Sequence, residues 1–465
     1  MADAFDAVVI GTGQAGPSLA VRLAGAGKRV AIVERSRFGG TCVNDGCTPT
    51  KALVASARAA HMARRAADFG VEVEGTVTVD MARVHARMKE ISGASSTGLE
   101  SWLEGADGVE VVRGHARLAG PGRVEVGGRT LTAESIFLNV GGRARVPNLE
   151  GLDATPYLTN TEMMELTELP EHLVVVGASY IGLEFAQMFR RFGSEVTVVE
   201  MGARPIARDD EDVSDVVREV LEREGVRFRF HAECVRVAPD GDGVRIGVEC
   251  EQGDPEIRGS HLLLAVGRVP NTNDLGLETV GVKTNERGFI QVDEHLRTSV
   301  DGIWAIGDCN GRGAFTHTSY NDYEIVAANL LDDDPRRVSD RIPCYGLFVD
   351  PPLGRIGMTE EQARRSGRNV LIGKRPMKHV GRAKERGETD GFIKILVDAD
   401  TEEILGAAIL GVGGDEVVHT LLTAMYAEAP YTLVSRAVHI HPTVAELLPT
   451  TLQSLKPLED VEAGG

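Results

Sequence analysis

Two cysteines with four residues between them, Cys42 and Cys47, lie in the segment GGTCVNDGCTPTK. Cysteines at such short spacing bind a metal, form a structural disulfide or act as a redox centre. The other four cysteines are isolated from one another in the sequence: Cys234, Cys250, Cys309 and Cys344. A structural metal site needs further ligands at short spacing, so the sequence predicts no metal site at this pair.

The spacing of the pair also disfavours an inert structural disulfide. On an ideal helix, residues five apart have Cα atoms about 8 to 9 Å apart, which exceeds the roughly 7 Å that a disulfide spans. Asn44, Asp45 and Gly46 are poor helix formers and let the segment bend. A bond formed under such strain is easily reduced. The redox interpretation is therefore favoured over the structural one.

The composition describes a large acidic protein. The chain has 465 residues, 42% of them hydrophobic, and a formal net charge of -19, so it can form several domains with cores of their own. The negative charge disfavours nucleic acid or an anionic membrane as a partner. The start Met1 to Phe5 has no basic region, and no apolar run reaches the length of a membrane span. We expect a cytoplasmic globular protein.

The segment before the cysteine pair predicts a βαβ unit. AFDAVVIGTGQAGPSLAVRLAGAGKRVAIVER contains an apolar strand, a glycine turn, an amphipathic helix and a second apolar strand that ends in Glu34. Gly11, Gly13 and Gly16 fit the pattern G-x-G-x-x-G, whose glycines let a pyrophosphate approach a helix N-terminus. Glu34 is placed to accept hydrogen bonds from a ribose. The unit predicts a dinucleotide site.

A second βαβ unit follows in HLVVVGASYIGLEFAQMFRRFGSEVTVVE. Gly177 and Gly182 occupy the outer glycine positions, Ser179 replaces the middle glycine, and Glu200 closes the next strand. A small hydroxyl at position 179 could itself bond a phosphate. Two dinucleotide sites in one chain predict two cofactors.

Changes in sequence texture divide the rest of the chain. ESIFLNVGGRARVPNLEGL combines a strand, a glycine turn and a proline-marked crossover, which places a boundary near residue 147. LLLAVGRVPNT and DGIWAIGDCNG are buried-strand runs that indicate a return to the first domain. From about residue 341, the strand-like GFIKILVD and ILGAAILG and a helix through EVVHTLLTAMYAE indicate a further domain.

Five motifs of the chain resemble those of the flavoprotein disulfide reductases, which include dihydrolipoamide dehydrogenase, glutathione reductase and mercuric reductase. GGTCVNDGCTPTK is similar to the redox-disulfide motif of this family, GTGQAG to its FAD site and GASYIGLE to its nicotinamide-nucleotide site. GIWAIGDC resembles its second FAD motif and HPTVAE its acid-base motif. The resemblance covers nearly the whole chain. It implies an α/β fold with two Rossmann-like dinucleotide-binding domains, for FAD and NAD(P), plus a C-terminal α+β dimerisation domain.

The resemblance also gives each segment a role. Residues 1-147 are expected to form the first part of an FAD-binding domain, and residues 148-264 an NAD(P)-binding domain. Residues 265-340 are expected to return to the FAD-binding, central domain. Residues 341-465 are expected to form the dimerisation domain.

The roles of the catalytic residues follow from the same resemblance. It implies that Cys42 exchanges with the substrate and that Cys47 faces the flavin, as a charge-transfer thiolate when the pair is reduced. Lys51 is expected beside the flavin N5, paired with Glu184. Residues expected to contact FAD are Gly11, Gly13, Gly16, Glu34, Gly40, Thr41, Lys51, Ala116, Gly141 and Asp308. Residues expected to contact the nicotinamide nucleotide are Gly177, Gly182, Glu200 and Gly267.

The acid-base motif supplies a histidine and a carboxylate. The resemblance implies that His441 protonates the leaving thiol, that Glu446 orients it, and that both come from the other subunit of a homodimer. The residue types suit this chemistry, because histidine titrates near working pH and a carboxylate can fix its tautomer.

The nucleotide and the substrate are predicted from single positions. Glu200 can accept from a free ribose 2'-hydroxyl and would repel a 2'-phosphate, which favours NADH. Family members that use NADPH typically carry arginine one residue later, where this chain has Met201. Arg204 and Arg208 lie close enough in sequence to keep NADPH possible.

The predicted substrate is a disulfide or a related thiol-reactive oxidant, with metal-ion reduction as the runner-up and dihydrolipoamide dehydrogenase as a further alternative. The segment TCVNDGC resembles mercuric reductases, but we expect no N-terminal metal-binding domain, and the tail LKPLEDVEAGG shows no vicinal cysteines to relay Hg(II). His441 suits a reaction that releases a thiol, and mercuric reductases do not use a histidine there.

Two alternatives stay open at this stage. A flavin-binding protein without turnover, or an oxidase, would have no use for the cysteine pair together with Lys51, Glu184 and the histidine dyad.

Asp45 stands where related motifs usually place an apolar residue. It either points to solvent, as most aspartates do, or biases the thiols or selects a cationic substrate.

Overall fold

The computed structural model describes residues 3-250 and 254-460. Met1 and the last five residues of the tail, which entered the arguments about a leader and a vicinal cysteine pair, lie outside the described residues.

The first part of the chain builds a parallel sheet that carries the first glycine turn. Its elements in chain order are β1 (Asp3–Ala4), β2 (Ala7–Ile10), α1 (Ala15–Gly25), β3 (Val30–Glu34), α2 (Gly40–Asn44), α3 (Cys47–Arg64), α4 (Met81–Glu104), β4 (Val109–Arg113), β5 (Ala116–Leu118), β6 (Arg123–Val126), β7 (Arg129–Thr132), β8 (Ser135–Leu138) and β9 (Gly142–Ala144). Strands β8, β2, β3 and β4 pair in that order, all parallel. Their apolar residues are buried on both faces because helices cover one side and β1, β5, β6 and β7 form a second sheet.

The second part repeats the arrangement. Its elements are α5 (Asn160–Met163), β10 (His172–Val176), α6 (Tyr180–Phe192), β11 (Glu195–Val199), α7 (Glu211–Arg223), β12 (Val226–Arg229), β13 (Ala232–Asp240), β14 (Gly243–Cys250), β15 (Glu256–Gly259) and β16 (His261–Leu264). Strands β12, β11, β10 and β16 form a parallel sheet, and β13, β14 and β15 form an antiparallel one. Both glycine turns therefore lie at the carboxyl end of a central parallel strand, where open α/β sheets bind ligands.

The chain then returns to the first sheet. The returning elements are β17 (Arg268–Pro270), β18 (Ile303–Ala305) and α8 (Thr316–Leu331). Strand β17 pairs with β9, and β18 adds to the edge of the first parallel sheet beside β8. This return brings the start of α8 next to the cysteine pair.

The last part is a mixed layer of sheet and helices. Its elements are β19 (Cys344–Leu347), β20 (Leu353–Gly357), α9 (Glu360–Arg365), β21 (Val370–Pro376), α10 (Gly381–Glu385), β22 (Phe392–Asp398), β23 (Ile404–Leu410), α11 (Gly414–Tyr426), α12 (Tyr431–Arg436), α13 (Leu447–Leu452) and β24 (Lys456–Pro457). The strands form one antiparallel sheet in the order β19, β20, β23, β22, β21 and β24. Every residue of β22 and β23 is buried, as their apolar runs predict.

Short 3-10 helices complete the connections: Ala66–Phe69, Leu152–Ala154, Leu277–Thr279, Gly307–Asn310, Val338–Asp340, Met377–His379 and Leu458–Asp460. In the part of the chain that the structure describes, no helix has both the length and the apolar character needed to span a membrane. The cytoplasmic location and the residue boundaries of the four segments stay predictions.

Candidate active site

The two cysteines of the predicted redox pair lie together at a break between two helices. Helix α2 ends at Asn44, Asp45 leaves the helical region at φ -139°, and α3 begins at Cys47. The predicted bend is therefore present, and it brings Cys42 and Cys47 into hydrogen-bonding contact as free thiols. Both line a cavity of about 2510 Å³.

The contact between the two thiols makes them unequal. A hydrogen bond from Cys42 lowers the pKa of Cys47 to about 6, and the Lys51 ammonium favours the thiolate further. The same contact, together with burial, raises the pKa of Cys42. The pair is thus arranged to hold one negative charge, on Cys47, and one proton, on Cys42.

Lys51 and Glu184 meet across two parts of the chain. Lys51 lies one helical turn beyond Cys47 in α3, and its Nζ is 2.6 Å from a carboxylate oxygen of Glu184 in α6. The backbone N–H of Phe348 donates to the other carboxylate oxygen at 3.1 Å. The Nζ also lies 4.5 Å from the centre of the Phe348 ring. Glu184 is buried, whereas the Lys51 side chain is 34% exposed, so only the carboxylate side of this ion pair is withdrawn from water.

The first glycine turn is packed too tightly for any side chain at two positions. Gly11 has a φ of +105°, and a Cβ on Gly16 would come within 2.3 Å of the Gly11 carbonyl oxygen. The amide of Asn139 donates to the carbonyls of Gly11 and Gly13 at 3.1 and 3.0 Å. Gly40, at φ +59°, faces the turn, where a Cβ would approach the Gly13 Cα to 2.9 Å.

Glu34 closes this turn from the neighbouring strand. Its carboxylate accepts from the backbone N–H and the hydroxyl of Thr12 at 3.1 and 2.5 Å and from the N–H of Ser36 at 2.8 Å. These donors fix the carboxylate at the carboxyl end of β3, facing the cavity. The position is the one expected of a group that binds ribose hydroxyls.

The second glycine turn has the same backbone geometry. Gly177 has a φ of +106°, and a Cβ on Gly182 would lie 2.1 Å from the Gly177 carbonyl oxygen. Glu200 accepts from the N–H groups of Ala178 and Gly202, each at 2.8 Å.

Most of the predicted cofactor residues line the same cavity. The lining residues among them are Gly11, Gly13, Glu34, Gly40, Thr41, Lys51, Ala116, Gly141, Asp308, Gly177, Glu200 and Gly267. Gly16 and Gly182 lie behind the turns, where their lack of a side chain lets helix and strand approach each other. Burial raises the pKa of Asp308, which has Arg268 as its nearest cation at 3.9 Å.

The residues present fit FAD and a nicotinamide nucleotide. The two turns offer helix N-termini that no side chain obstructs, and Glu34 and Glu200 stand at the adjoining strand ends with their carboxylates facing the cavity. Gly141 and Gly267, at φ +62° and +108°, have nothing within 4 Å of an added Cβ, so each leaves room at the wall. Residues 3-250 and 254-460 contain no cluster of histidine, cysteine or carboxylate side chains suited to holding a metal ion.

The predicted acid-base dyad forms, but away from the cysteines. The Nδ1 of His441 is 2.8 Å from a carboxylate oxygen of Glu446, and the histidine side chain is 80% exposed. Among the residues that the structure describes, the lining of the cavity that contains Cys42 includes neither His441 nor Glu446. Val438 and Ile440, just before the histidine, are 101% and 81% exposed. A single chain therefore presents a histidine on an apolar, uncovered loop.

Asp45 does not simply point to solvent. Its carboxylate is 2.7 Å from the guanidinium of Arg37, and its side chain is only 19% exposed. The bend turns the carboxylate back toward the segment that leads into the motif, where the arginine meets it. Arg37, whose side chain is 49% exposed, is the ion-pair partner of this carboxylate in the folded chain.

Several contributors to the site carry no signal in the sequence. Thr316, at the start of α8, contacts both cysteine sulfurs at 3.2 Å. Asn139 and Phe348 hold the first glycine turn and Glu184 from distant parts of the chain. Thr12 is different, because it lies inside the predicted turn, between Gly11 and Gly13. A hydroxyl at that position, with Glu34 predicted at the adjoining strand end, is a sequence signal that could have identified the contact between them.

Comparison with known proteins identifies the family. Residues 5–322 match the family model described as pyridine nucleotide-disulphide oxidoreductase, and residues 344–452 match the dimerisation domain of the same family. The chain belongs to the pyridine nucleotide-disulphide oxidoreductases. It is thus an FAD-dependent oxidoreductase that uses a pyridine nucleotide, and the predicted fold class is confirmed.

Individual relatives span the full length of the chain. A probable pyridine nucleotide-disulfide oxidoreductase, RclA of Escherichia coli, is 37% identical over 96% of this chain and 98% of its own. A dihydrolipoyl dehydrogenase of Thermus scotoductus is 34% identical over 97% of each chain. A mercuric reductase of Streptomyces lividans is 33% identical over 97% of this chain and 96% of its own.

The solved structures of RclA show the same fold. The HOCl-induced flavoprotein disulfide reductase RclA from Escherichia coli superposes with a TM-score of 0.89 at 36% identity, covering 97% of this chain and all of that one. A Cu(II) complex of the same enzyme gives 0.89 at 35% identity and covers 97% of this chain and 99% of that one.

Proposed function

We propose that the protein is an NADH-linked reductase that passes electrons through FAD to the Cys42–Cys47 pair and on to a disulfide or a thiol-reactive oxidant. The observation that carries this proposal is the unequal pair of thiols, with Cys47 as the preferred thiolate and Lys51–Glu184 next to it. A structural pair has no use for a thiolate near neutral pH, whereas thiol–disulfide exchange requires one.

FAD would be held at the first glycine turn, Glu34 and Lys51, and would supply two-electron transfer between the nicotinamide and the disulfide. The chain's own residues then carry the exchange. Lys51 favours negative charge on Cys47, and the higher pKa of Cys42 keeps the proton there. Cys42 gives up that proton as it attacks the substrate, because only the thiolate form is a nucleophile. The motif order assigns this outward role to Cys42.

The acid-base step requires a second copy of the chain. His441 is held by Glu446 in the geometry of a base with its orienting carboxylate, but it is exposed and outside the cavity of its own chain. The uncovered Val438 and Ile440 beside it are suited to burial against another subunit. We propose a homodimer, supported by the matched dimerisation domain, in which the dyad of one subunit protonates thiols leaving Cys42 of the other.

NADH is the proposed nucleotide. Two backbone N–H groups hold the Glu200 carboxylate at the end of β11, where it would accept from a free 2'-hydroxyl and repel a 2'-phosphate. Met201 is 66% exposed beside it and offers no positive charge. Arg204 lies 3.7 Å from Glu211, an acid that competes with a phosphate for it. NADPH is the alternative that the arginines leave open.

The substrate proposal draws on chemistry and on relatives. A histidine dyad suits a substrate whose reduction releases a thiol. The Escherichia coli relative is described as HOCl-induced, which is consistent with a thiol-reactive oxidant as the origin of the substrate here.

A panel of low-molecular-weight disulfides, lipoamide, Hg(II) and Cu(II), each with NADH and with NADPH, tests the proposal. We expect the highest kcat/KM for a disulfide with NADH. His441→Ala should slow disulfide turnover by about 100-fold or more and leave reduction of the flavin by NADH unchanged. His439→Ala, two residues earlier in the same exposed loop, is the matched control. Lipoamide as the best substrate by a wide margin would instead indicate a dihydrolipoamide dehydrogenase.

Metal-ion reduction is the second candidate. A similar solved structure contains Cu(II), and soft metal ions bind thiolates. In this case His441→Ala would spare Cu(II) or Hg(II) turnover, because no thiol leaves. If none of these acceptors supports NADH oxidation, the protein would be a flavin-binding protein without this chemistry. A Cys42→Ser variant with unchanged NADH oxidation would exclude the disulfide route.

A further inference from the structure

Thr316 lies between the two sulfurs of the cysteine pair. Its hydroxyl oxygen is 3.2 Å from the Sγ of Cys42 and 3.2 Å from the Sγ of Cys47. A threonine hydroxyl has one proton to donate, so it can donate to one sulfur at a time. Hydrogen bonds to charged acceptors are the stronger ones. The proton therefore goes to whichever sulfur is the thiolate.

The position of this hydroxyl is set by packing rather than by the thiols. Phe315, directly before Thr316, stacks on Tyr345 with ring centres 5.8 Å apart and on His317 with ring centres 5.3 Å apart. Tyr180, from the second glycine turn, packs edge-on against Phe315 at 6.2 Å. These contacts fix the backbone at the start of α8, and a β-branched side chain on a fixed backbone has few rotamers. The hydroxyl therefore stays in place when the sulfurs change partners.

We propose that Thr316 is a positioning residue that keeps Cys47 as the thiolate throughout the exchange with substrate. The inference rests on the proposed function, in which Cys42 is the exchanging thiol. When Cys47 is the thiolate of the reduced pair, the Cys42 thiol and the Thr316 hydroxyl both lie within hydrogen-bonding reach of it and can donate to it. Once Cys42 is bonded to substrate, its proton is gone, and of these two donors only Thr316 remains.

The exchange balances with Thr316 as a donor that is never consumed. Cys42 loses its proton and attacks the substrate disulfide, and the first sulfur leaves as a thiol with one proton. Cys47 then attacks the Cys42 sulfur, which forms the Cys42–Cys47 bond and releases the second sulfur, protonated from solvent through the acid. The two electrons of the reduced pair end on the two released thiols. Thr316 acts on the second step. Without its hydrogen bond, Cys47 would have a higher pKa and would stay protonated, and therefore unreactive, up to a higher pH.

A single-thiol background isolates the effect. In FAD-loaded Cys42→Ser protein, Cys47 has no partner thiol, and its ionisation is followed without reductant by the long-wavelength absorbance of a thiolate against the flavin. Adding Thr316→Val should raise the pH midpoint of this absorbance by about one unit, since one hydrogen bond to the charged form is lost. Thr316→Ser, which keeps the hydroxyl, should restore the midpoint.

Thr318→Val is the matched control on the same helix turn. Its hydroxyl caps α8 by bonding to Phe315 and does not contact the sulfurs, so its midpoint should equal that of the Cys42→Ser parent. Equal midpoints with Val and Thr at position 316, at matched flavin content, would overturn the role of Thr316 and leave the proposed function intact. Absence of the absorbance at every pH in the Cys42→Ser parent would overturn both, because Cys47 would then not face the flavin.

Discussion

The two pairs of a basic side chain and a carboxylate differ in how complete they are within one chain. Lys51 and Glu184 come from different parts of the fold, yet they meet at 2.6 Å with Glu184 almost fully buried. His441 and Glu446 are five residues apart and meet at 2.8 Å, but His441 is 80% exposed. The first pair lies beside the cysteines, whereas the second lies outside their cavity.

This difference indicates where each half of the reaction is assembled. The Lys51–Glu184 pair, which we propose to serve the nucleotide and flavin side, forms within a single chain where α3 packs against α6. The His441–Glu446 pair, which we propose to serve the substrate side, is already formed as a dyad in one chain, and in our proposal another subunit brings it to a thiol. Electron entry is expected to depend on the folded monomer and electron exit on the dimer.

The strongest test of this difference mixes two inactive variants. Cys42→Ser and His441→Ala homodimers should each lack disulfide turnover. A symmetric dimer that exchanges subunits gives heterodimers in which one site keeps both an intact Cys42 and an intact dyad, so an equal mixture should recover about one quarter of wild-type activity. The measurement is disulfide-dependent NADH oxidation after subunit exchange or co-expression.

Copurification of the two variants through different affinity tags checks that heterodimers form at all. Copurified Cys42→Ser/His441→Ala heterodimers without disulfide turnover would mean that the dyad acts on its own chain, and the cross-subunit site would be wrong.

The second test breaks the buried pair. Lys51→Met leaves the Glu184 carboxylate buried without its cation, and an uncompensated buried charge is costly. We expect the free energy of unfolding to fall by about 2 kcal/mol, less than for a fully buried pair because Lys51 is partly exposed. Reduction of the flavin by NADH, measured by stopped-flow absorbance, should slow by about 10 to 100-fold because a charge at the reacting centre is lost.

Lys89→Met provides the control for this test. Lys89 lies 2.5 Å from Glu165, whose side chain is 59% exposed. An ion pair at such a surface position contributes about 0 to 1 kcal/mol. If Lys89→Met lost as much stability as Lys51→Met, or if Lys51→Met left flavin reduction unchanged, the buried pair would have no special role.

The third test weakens the exposed dyad without removing its histidine. Glu446→Gln removes the charge that orients His441, and its expected cost is about 10-fold in disulfide turnover. The loss should appear in kcat with disulfide and not in flavin reduction by NADH. An equal loss in both half-reactions would show that Glu446 supports the fold of the loop rather than the orientation of the histidine.

What the sequence predicts well is what lies close in sequence or follows a family pattern. Gly11, Gly177 and the bend between Cys42 and Cys47 depend on local backbone rules, so their geometry follows from residue types. The pairing of Lys51 with Glu184, 133 residues apart, comes from the resemblance alone, and the structure supplies the contact. The family pattern also led to His441 and Glu446, although it cannot show that the dyad misses the cavity of its own chain.

The contributors that sequence analysis missed have no local pattern. Thr316 contacts Cys42 across 274 residues, and no periodicity relates the two. The sequence leaves Asp45 as a solvent-facing carboxylate or as a charge beside the thiols, whereas the structure pairs it with Arg37 because the bend turns the loop back on itself. Such contacts depend on tertiary packing, which residue types do not determine one at a time.

The smallest effect tests the inequality of the two thiols, which lie between the two proposed half-reactions. The pKa of Cys47 is lowered to about 6 by the hydrogen bond from Cys42, with a contribution from Lys51. A depressed pKa means that the thiolate is present above this value and is lost as the pH falls through it. In two-electron-reduced protein, the long-wavelength thiolate absorbance should therefore be nearly constant from pH 8 down to about 7 and half lost at about pH 6. Lys51→Met should move the midpoint upward. His441→Ala should move it less, since His441 is exposed and lies outside the cavity of its own chain. A midpoint near the ordinary pKa of a free thiol would mean that the pair carries no preformed thiolate, and that both basic residues act only after substrate binds.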